Sequence, residues 1–401
     1  MDNFRKEIKN SLVDTFRELQ DKSLYRQDIA KKIKEKGLNF ASFNEEEFKT
    51  IDEDFSNEVQ NFKTSFDFKI IAFDTNGEFE YSENYLLFWE IFEKANNFLN
   101  NIIELSNNDL NERNNHFILD RAIKLNSNWL FYNSLIKKYG LVNKDAMPSN
   151  LVNEDFDRLI DLISLKMRQS AALIRRFKEK NSDKMLNVAR EKVLKDLFNL
   201  LTYCLGEPPV NSIKLENDLL GDLFTIANLP GNSREINKIY RIKYSDKVEN
   251  YPEYKFINLS FDDFTKSVIN QIDNGTGVWV ICESDKMSDT EHHLYDTEIF
   301  NYNETLGTCF DLDKAKRIDY CEKLNIRSAL IVAYHRDNDR VTKWKMVNPK
   351  TKETYILTNT WFELYVYKAI VFKKYILKSL KNVEEETLPA WDNINSILYT
   401  S

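Results

Sequence analysis

Apolar residues recur at helical spacing through the first half of the chain. In the highly charged stretch 3–36 they return every three or four positions, and residues 84–105 and 153–179 show the same period. This period gathers apolar side chains on one face of a helix. We therefore predict three helices that pack on a core or on partner helices, with Asn153 as the N-cap of the third.

The pattern changes after about residue 230, where short runs of β-branched and aromatic residues replace the helical period. Four strands are predicted, at residues 278–282, 329–334, 341–347 and 355–357. Turn residues separate the runs. A helical half followed by a β-rich half predicts an α+β fold, with a site possible in the cleft between the halves.

Composition narrows the class of protein. The chain has 401 residues, of which 42% are hydrophobic, and a formal net charge of -8. An acidic balance argues against a protein whose main partner is nucleic acid, which calls for a basic surface. The first residues are charged, and no stretch approaches a membrane span, so we expect a cytoplasmic protein without a membrane partner.

The cysteines indicate neither disulfides nor a cofactor. None of Cys204, Cys282, Cys309 and Cys321 forms a C-x-x-C pair, and a reducing compartment fits them best. Cys204 and Cys282 stand in apolar contexts that favour packing as small hydrophobic residues. The spacing of Cys309 and Cys321 from His292-His293 matches no zinc pattern, and no glycine-rich phosphate loop is present. No metal and no cofactor are predicted.

Segments along nearly the whole chain carry a family resemblance. They stand, in order, at residues 41–44, 54–56, 79–103, 135–148, 204–209, 278–286, 313–324, 342–348, 360–371 and 388–392. Together they resemble the bleomycin hydrolase (aminopeptidase C) family of papain-like cysteine peptidases, or thiol proteases of the peptidase C1 type. The order of the matches makes the resemblance specific, although each segment alone is a weak signal.

The resemblance implies a papain-like α+β fold with a helical half, a barrel-like β half and helical insertions used in oligomerisation. The implied division is an N-terminal arm at 1–58, the helical half at 59–230, the β-rich half at 231–375 and a C-terminal tail at 376–401. Members of the family are cytosolic and form hexameric rings. Their tail lies in the active-site cleft and limits cleavage to chain ends.

The nucleophile of the family is missing from this chain. A cysteine peptidase needs a thiolate, an imidazole and a group that orients the imidazole. The family's N-Q-x-x-x-x-x-C-W segment should fall between Val59 and Phe79, where no cysteine occurs and where the interval is about one helix too short. Since no cysteine precedes Cys204, an adjusted alignment cannot supply one.

The histidine of the family is also replaced. Ungapped alignment from Tyr320 places Arg327 at its position, and a slip of one residue would place Ser328 there. Neither side chain is a general base near neutral pH. His335 follows in what the pattern predicts to be a turn, and we interpret it as a solvated loop histidine.

Of the family's catalytic positions, only the asparagine is retained, as Asn348. The Ser-Trp-Gly that should follow has become Pro349-Lys350-Thr351, so Asn348 is interpreted as a turn residue. The D-G-G-Q-W segment of the substrate groove is replaced as well. Its counterpart is Leu125 followed by Asn126, Ser127, Asn128 and Trp129. Side chains replace both glycines of the family segment and should obstruct the approach of a substrate backbone.

These losses favour a pseudoenzyme that keeps the scaffold and binds itself, a peptide or a protein. Two alternatives stay open: an active aminopeptidase with a rearranged site, and a ring that holds peptides without cutting them. The apolar tail residues, Leu388, Pro389, Trp391, Ile394, Ile397 and Leu398, are expected to dock in or beside the old cleft as a plug.

Overall fold

The structure is a computed structural model, and its secondary structure follows the two periods of the sequence. It describes residues 49–50, 81–125, 127–149, 153–179, 183–213, 222–231, 234–283, 286–289, 293–300, 303, 308–322, 324–337, 339–348, 353–376 and 382–395. The predicted helix over 3–36 and most of the predicted N-terminal arm lie outside these residues.

The helical half is built on one long central helix. The helices of this half are α1 (Glu83–Glu104), α2 (Arg113–Asp120), α3 (Trp129–Tyr139), α4 (Asn153–Glu179) and α5 (Asp183–Leu205). The Ser82 side chain caps α1 by accepting a hydrogen bond from the backbone N–H of Tyr85. Fully buried Ile91 and Leu99 on α1 pack with Ile163 of α4 in one apolar core. The periodicity of 84–105 and 153–179 thus predicted two real helices, of which the second begins at Asn153.

One large mixed sheet forms the other half. Its strands are β1 (Lys49–Thr50), β2 (Leu223–Ala227), β3 (Lys238–Ile242), β4 (Phe256–Asn258), β5 (Val278–Glu283), β6 (Ser288–Asp289), β7 (Leu294–Tyr295), β8 (Ile326–Asp337), β9 (Arg340–Val347), β10 (Thr354–Thr358), β11 (Val366–Phe372) and β12 (Glu385–Leu388). The spatial order is β12-β3-β4-β2-β11-β5-β8-β9-β10-β7-β6, with β1 added beside β8. The four predicted strands correspond to β5, β8, β9 and β10.

Helices α6 (Phe261–Asp273), α7 (Lys314–Asp319) and α8 (Asn359–Tyr365) complete the β half. Phe264 of α6 and Phe362 of α8 are fully buried in the core on one face of the sheet, where Phe362 stacks on Trp344 of β9 with ring centroids 4.2 Å apart. Tyr240 and Tyr367 lie in the core on the other face. Both sheet faces are covered, which explains why the central strands read as continuous apolar runs.

The first strand of the large sheet after β1 precedes the boundary that the sequence analysis placed at residue 230. β2 pairs antiparallel with β11 and parallel with β4, so residues 223–227 pack with the β half. The four-part division of the chain stays a prediction, and β2 marks where the two halves meet.

A lysine in the middle of the sheet gives a testable consequence of this burial. Lys368 on β11 is 4% exposed, and its Nζ lies 5.6 Å from the ring centroid of Tyr254. Burial disfavours the ammonium ion and lowers the pKa of Lys368 from 10.5 to about 7. Between pH 7 and pH 10.5, the amine of Lys368 is protonated in the unfolded chain and neutral in the folded chain. Stability from this group therefore rises with pH in that window.

We predict that Lys368→Met is more stable than the wild type at pH 6, and that this advantage shrinks between pH 7 and pH 10.5. The difference in unfolding free energy between Lys368→Met and the wild type should change by up to about 1.4 kcal/mol per pH unit. Urea unfolding at pH 6, 8 and 10 measures it. Lys195→Met, at an exposed position of α5, is the matched control and should show no such trend. A constant difference between Lys368→Met and the wild type across this range would contradict the prediction.

Candidate functional site

Arg327 and Asn348, the predicted counterparts of the family's histidine and asparagine, lie on β8 and directly after β9. Arg327 is the second residue of β8 and pairs with Cys282 of β5. Val347 ends β9 opposite Leu330, so Asn348 follows at the end of the sheet where β8 begins. The backbone N–H of Asn348 donates to the carbonyl oxygen of Glu353 at 2.9 Å and closes the turn into β10. A guanidinium therefore stands where the family resemblance predicts an imidazole.

The neighbouring serine offers no substitute base or nucleophile. Ser328 is 8% exposed and pairs with Ile281 of β5, and its hydroxyl forms no hydrogen bond within the described part of the chain. A serine needs an adjacent base before it can attack, and the Arg327 guanidinium keeps its protons in proteins. These two positions therefore supply neither proton transfer nor attack.

The cysteine nearest to the histidine position is chemically inert. Cys282 of β5 is 2% exposed and packs in the core of the sheet. Burial, with a smaller contribution from Glu283, raises the pKa of the Cys282 thiol to about 12, although Arg327 opposes the shift. A thiol with this pKa carries almost no thiolate at pH 7, and the thiolate is the nucleophile.

His335 does not lie in a turn, so that prediction is wrong. β8 continues through Tyr334 to Asp337, and His335 pairs with Lys343 of β9. Its Nδ1 lies 2.9 Å from the hydroxyl oxygen of Thr342. Eight residues separate it from Arg327 along the strand, which amounts to roughly 26 Å at the rise of a β-strand. His335 is too far from the old histidine position to act there.

Side chains at the former groove segment have structural partners. Ser127 donates its hydroxyl proton to Glu90 Oε1 at 2.9 Å, and Trp129 Nε1 donates to Thr225 Oγ1 of β2 at 2.8 Å. Asn128 caps α3 by accepting from the backbone N–H of Phe131 at 3.0 Å. All three are buried, whereas Asn126 lies outside the described residues. The obstruction of a groove by this segment stays a prediction.

Glu90, whose carboxylate accepts the hydrogen bond from Ser127, is itself buried. Glu90 of α1 is 1% exposed and accepts a second hydrogen bond from the Tyr132 hydroxyl at 2.6 Å. Lys94, one helical turn further on, places its Nζ 3.7 Å from Glu90. Burial and the Glu90 charge raise the pKa of Tyr132, so the phenol stays protonated as a donor. The segment is therefore tied to α1 through a buried charge.

A buried charge cluster, which the sequence analysis missed, fixes the end of β5. Arg317 of α7 donates to Glu283 at 2.5 Å through Nη2 and to Glu322 at 2.5 Å through Nε. The hydroxyl of Tyr367 adds a hydrogen bond of 2.6 Å to Glu283, and Lys286 reaches Glu322 at 2.7 Å. Burial raises the pKa of Glu283, and the Arg317 charge opposes the shift. Glu283 directly follows Cys282, so the cluster borders the old histidine position.

Lys314 anchors the start of α7. Its ammonium group donates to Asn228 Oδ1 at 2.9 Å and to the carbonyl oxygens of Glu363 and Val366 at 3.0 and 2.5 Å. Three donors meet three acceptors, which suits a buried lysine. Lys314 and Arg317 fall in the segment 313–324, which the sequence analysis used only as a family match. Six charged residues within the ten positions 313–322 were the available signal for a buried cluster.

The described part of the C-terminal tail spans both halves of the molecule. Arg234, 1% exposed at its side chain, pairs with Asp319 of α7 at 2.7 Å and with Asp392 of the tail at 3.5 Å. The ring of Trp391 lies 4.8 Å from the guanidinium of Arg113 on α2, and Ile394 is fully buried. The expectation that the tail docks extends to Ile397 and Leu398, which lie outside the described residues.

Neither a metal centre nor a membrane span occurs in the part of the chain that the structure describes. The described residues contain no group of three or more His, Cys, Asp or Glu side chains that could hold a metal ion. Cys309 and Cys321 are exposed and free, and Cys204 packs partly buried against the helical core. No described helix is long and apolar enough to cross a membrane.

A helical half packed beside a β half is the scaffold expected of a papain-like cysteine peptidase. The sequence model of the Peptidase C1-like family matches residues 7–219 and 211–395, so the chain belongs to that family. This confirms the resemblance to the bleomycin hydrolase and aminopeptidase C family and the papain-like α+β fold class.

Proteins named as aminopeptidases are similar to this chain over most of their length. The aminopeptidase C of Listeria innocua is 27% identical over 95% of this chain and 96% of its own. The aminopeptidase E of Lactobacillus helveticus is 27% identical over 79% of each chain. The crystal structure of pepw from Lactobacillus rhamnosis HN001 shares the fold, with a TM-score of 0.70 over 96% of this chain and 97% of that chain at 24% identity.

The thiol environments predict an order of reactivity. We expect a thiol reagent such as iodoacetamide to label Cys309 and Cys321 readily in the native protein, because both are exposed. Cys282 should react only after unfolding, because its thiol is buried and protonated. Peptide mass spectrometry of native and urea-treated samples measures the labelling. Native labelling of Cys282 at a rate comparable to that of Cys309 would refute the assignment.

Proposed function

We propose that this protein is a degenerate aminopeptidase C relative that has lost peptidase activity and uses the retained scaffold to bind a peptide, a protein or further copies of itself. The observation that carries the proposal is Arg327 at the histidine position, paired with a cysteine that burial keeps protonated. The sequence adds that no cysteine precedes Cys204, which leaves the old nucleophile position without a thiol.

The chemistry supports a large loss of activity. In a nucleophilic peptidase the base and the nucleophile act as one unit, and loss of either costs on the order of 10⁶-fold in kcat. In this protein the proposed loss includes both the histidine base and the cysteine nucleophile. An orienting asparagine at 348 has no imidazole to orient, and its backbone serves the turn into β10 instead.

Self-association is the second part of the proposal. The α4–α5 pair leaves apolar side chains exposed, with Leu162 at 54%, Leu165 at 63% and Val188 at 50%. Such residues on one helical pair support a contact between copies, which the family resemblance extends to a hexamer. We place the protein in the cytoplasm, because all four cysteines are free thiols.

We predict no turnover of aminoacyl fluorogenic substrates and no labelling of any cysteine by an epoxide inhibitor of thiol proteases. The reason is the missing thiolate–imidazole pair. Fluorescence release and intact-protein mass spectrometry measure the two results, with an active aminopeptidase C as the positive control. Turnover that is abolished by mutating one of Cys204, Cys282, Cys309 and Cys321 would instead establish an active aminopeptidase with a rearranged site.

We also predict a particle larger than the 47.5 kDa chain, and a shift of Leu165→Asp toward the monomer. A carboxylate placed in an apolar contact is desolvated without a partner and weakens the contact. Light scattering at micromolar concentration measures both masses. Leu110→Asp, at a position 53% exposed outside α4 and α5, is the matched control and should keep the wild-type mass. A monomeric wild type would refute self-association.

A further inference from the structure

A small polar cavity lies where the helical half meets the C-terminal tail. It has a volume of about 60 Å³ and is lined by Asn97 and Asn101 of α1, by Arg121 and Lys124 after α2, and by Asn395 of the tail, among others. A buried water occupies roughly 10–15 Å³ on this measure, so the cavity holds about four waters or one small polyatomic ion. The cavity serves no step of the proposed function.

Cations outnumber carboxylates on its lining. Lys94, Arg121 and Lys124 face a single lining carboxylate, that of Asp246. Lys94 uses this carboxylate, since its Nζ lies 3.1 Å from Asp246 Oδ2, and it also donates to the carbonyl oxygen of Lys124. The Nζ of Lys94 also lies 3.7 Å from Glu90 Oε1, so the positive charge of Lys94 is balanced by carboxylates of the protein.

Arg121 and Lys124 have no such compensation. Neither forms an ion pair with any residue that the structure describes; Arg121 instead packs its guanidinium 4.5 Å from the ring of Phe117. Burial lowers the pKa of Lys124, and the Arg121 and Lys94 charges each contribute more to its electrostatic environment than do the carboxylates of Asp120 and Asp246.

Ordinary structural roles account for part of this charge only. Arg121 follows α2, whose C-terminal end carries about half a negative charge that favours a nearby cation. This partial charge does not balance two full cations. Asn101, 9% exposed, adds a side-chain amide that lines the cavity and makes no side-chain hydrogen bond within the described residues.

We propose that this cavity binds a small oxyanion, held by Arg121 and Lys124 with the Asn101 amide as a neutral donor. Planar guanidinium, ammonium and amide groups recognise carboxylate and phosphate oxygens alike. The volume of about 60 Å³ restricts the ligand to the size of acetate or inorganic phosphate, or to one such group at the end of a larger molecule. The site is separate from the old histidine position, which lies on the sheet.

Thermal unfolding of the full chain tests the site with inorganic phosphate and acetate as probes, each against sodium chloride at equal ionic strength. We expect at least one probe to raise Tm along a saturable curve, as a ligand that binds only the folded state must. Saturation by acetate alone assigns a carboxylate site, and saturation by phosphate assigns a site that accepts tetrahedral anions.

Charge-removing variants identify the residues. Arg121→Gln and Lys124→Gln should each weaken the fitted affinity by about tenfold or more, since each removes a charge-assisted hydrogen bond. Lys195→Gln makes the same charge change at an exposed position of α5 outside the cavity and should bind as the wild type does. Lys124 is an exposed residue, so Lys124→Gln serves as the test if Arg121→Gln fails to fold. Equal stabilisation by all three salts, or saturable binding that Lys124→Gln leaves unchanged, would overturn the proposal.

Discussion

The ion pair between Glu283 and Arg317 is the contact through which the parts of this molecule are joined. Glu283 is fully buried at the end of the central strand β5, and Arg317 is 4% exposed on the short helix α7. Removing one partner of such a pair leaves an uncompensated buried charge and costs about 3–5 kcal/mol. From α7, Asp319 reaches Arg234, which also pairs with Asp392 of the tail. The tail in turn meets the helical half through Trp391, so one buried pair supports a chain of contacts across both halves.

Two buried tryptophans hold the fold near the predicted site. Trp361 is fully buried and donates its indole N–H to the carbonyl oxygen of Lys286 at 2.8 Å. Trp344, also fully buried, donates to Asn359 at 3.0 Å. Loss of either indole would cost stability through cavity formation and an unpaired acceptor. Arg327, in contrast, lies at an exposed position of β8.

The helices and strands that were predicted correctly are those that leave a local pattern of apolar residues in the sequence. The helical period predicted α1 and α4, and the apolar runs predicted β5, β8, β9 and β10. Burial of one helical face requires apolar residues at helical spacing, and burial of both sheet faces requires a continuous apolar run. The end of β8 was missed, since Arg336 and Asp337 read as a turn but pair with Val341 and Arg340. The pair of Glu283 with Arg317 was also missed, because it joins positions 34 residues apart and has no periodic signal.

The proposed loss of activity would be hard to reverse, because the replaced residues have acquired structural partners. A histidine at position 327 would find no thiolate on the paired strand, because burial keeps the thiol of Cys282 protonated. A glycine in place of Ser127 would remove the hydrogen bond to Glu90. Glu90 would then be left buried with fewer donors, at a cost of about 1–3 kcal/mol. Each step back toward a peptidase therefore destabilises the scaffold before any catalysis returns, since a base without its nucleophile contributes almost nothing.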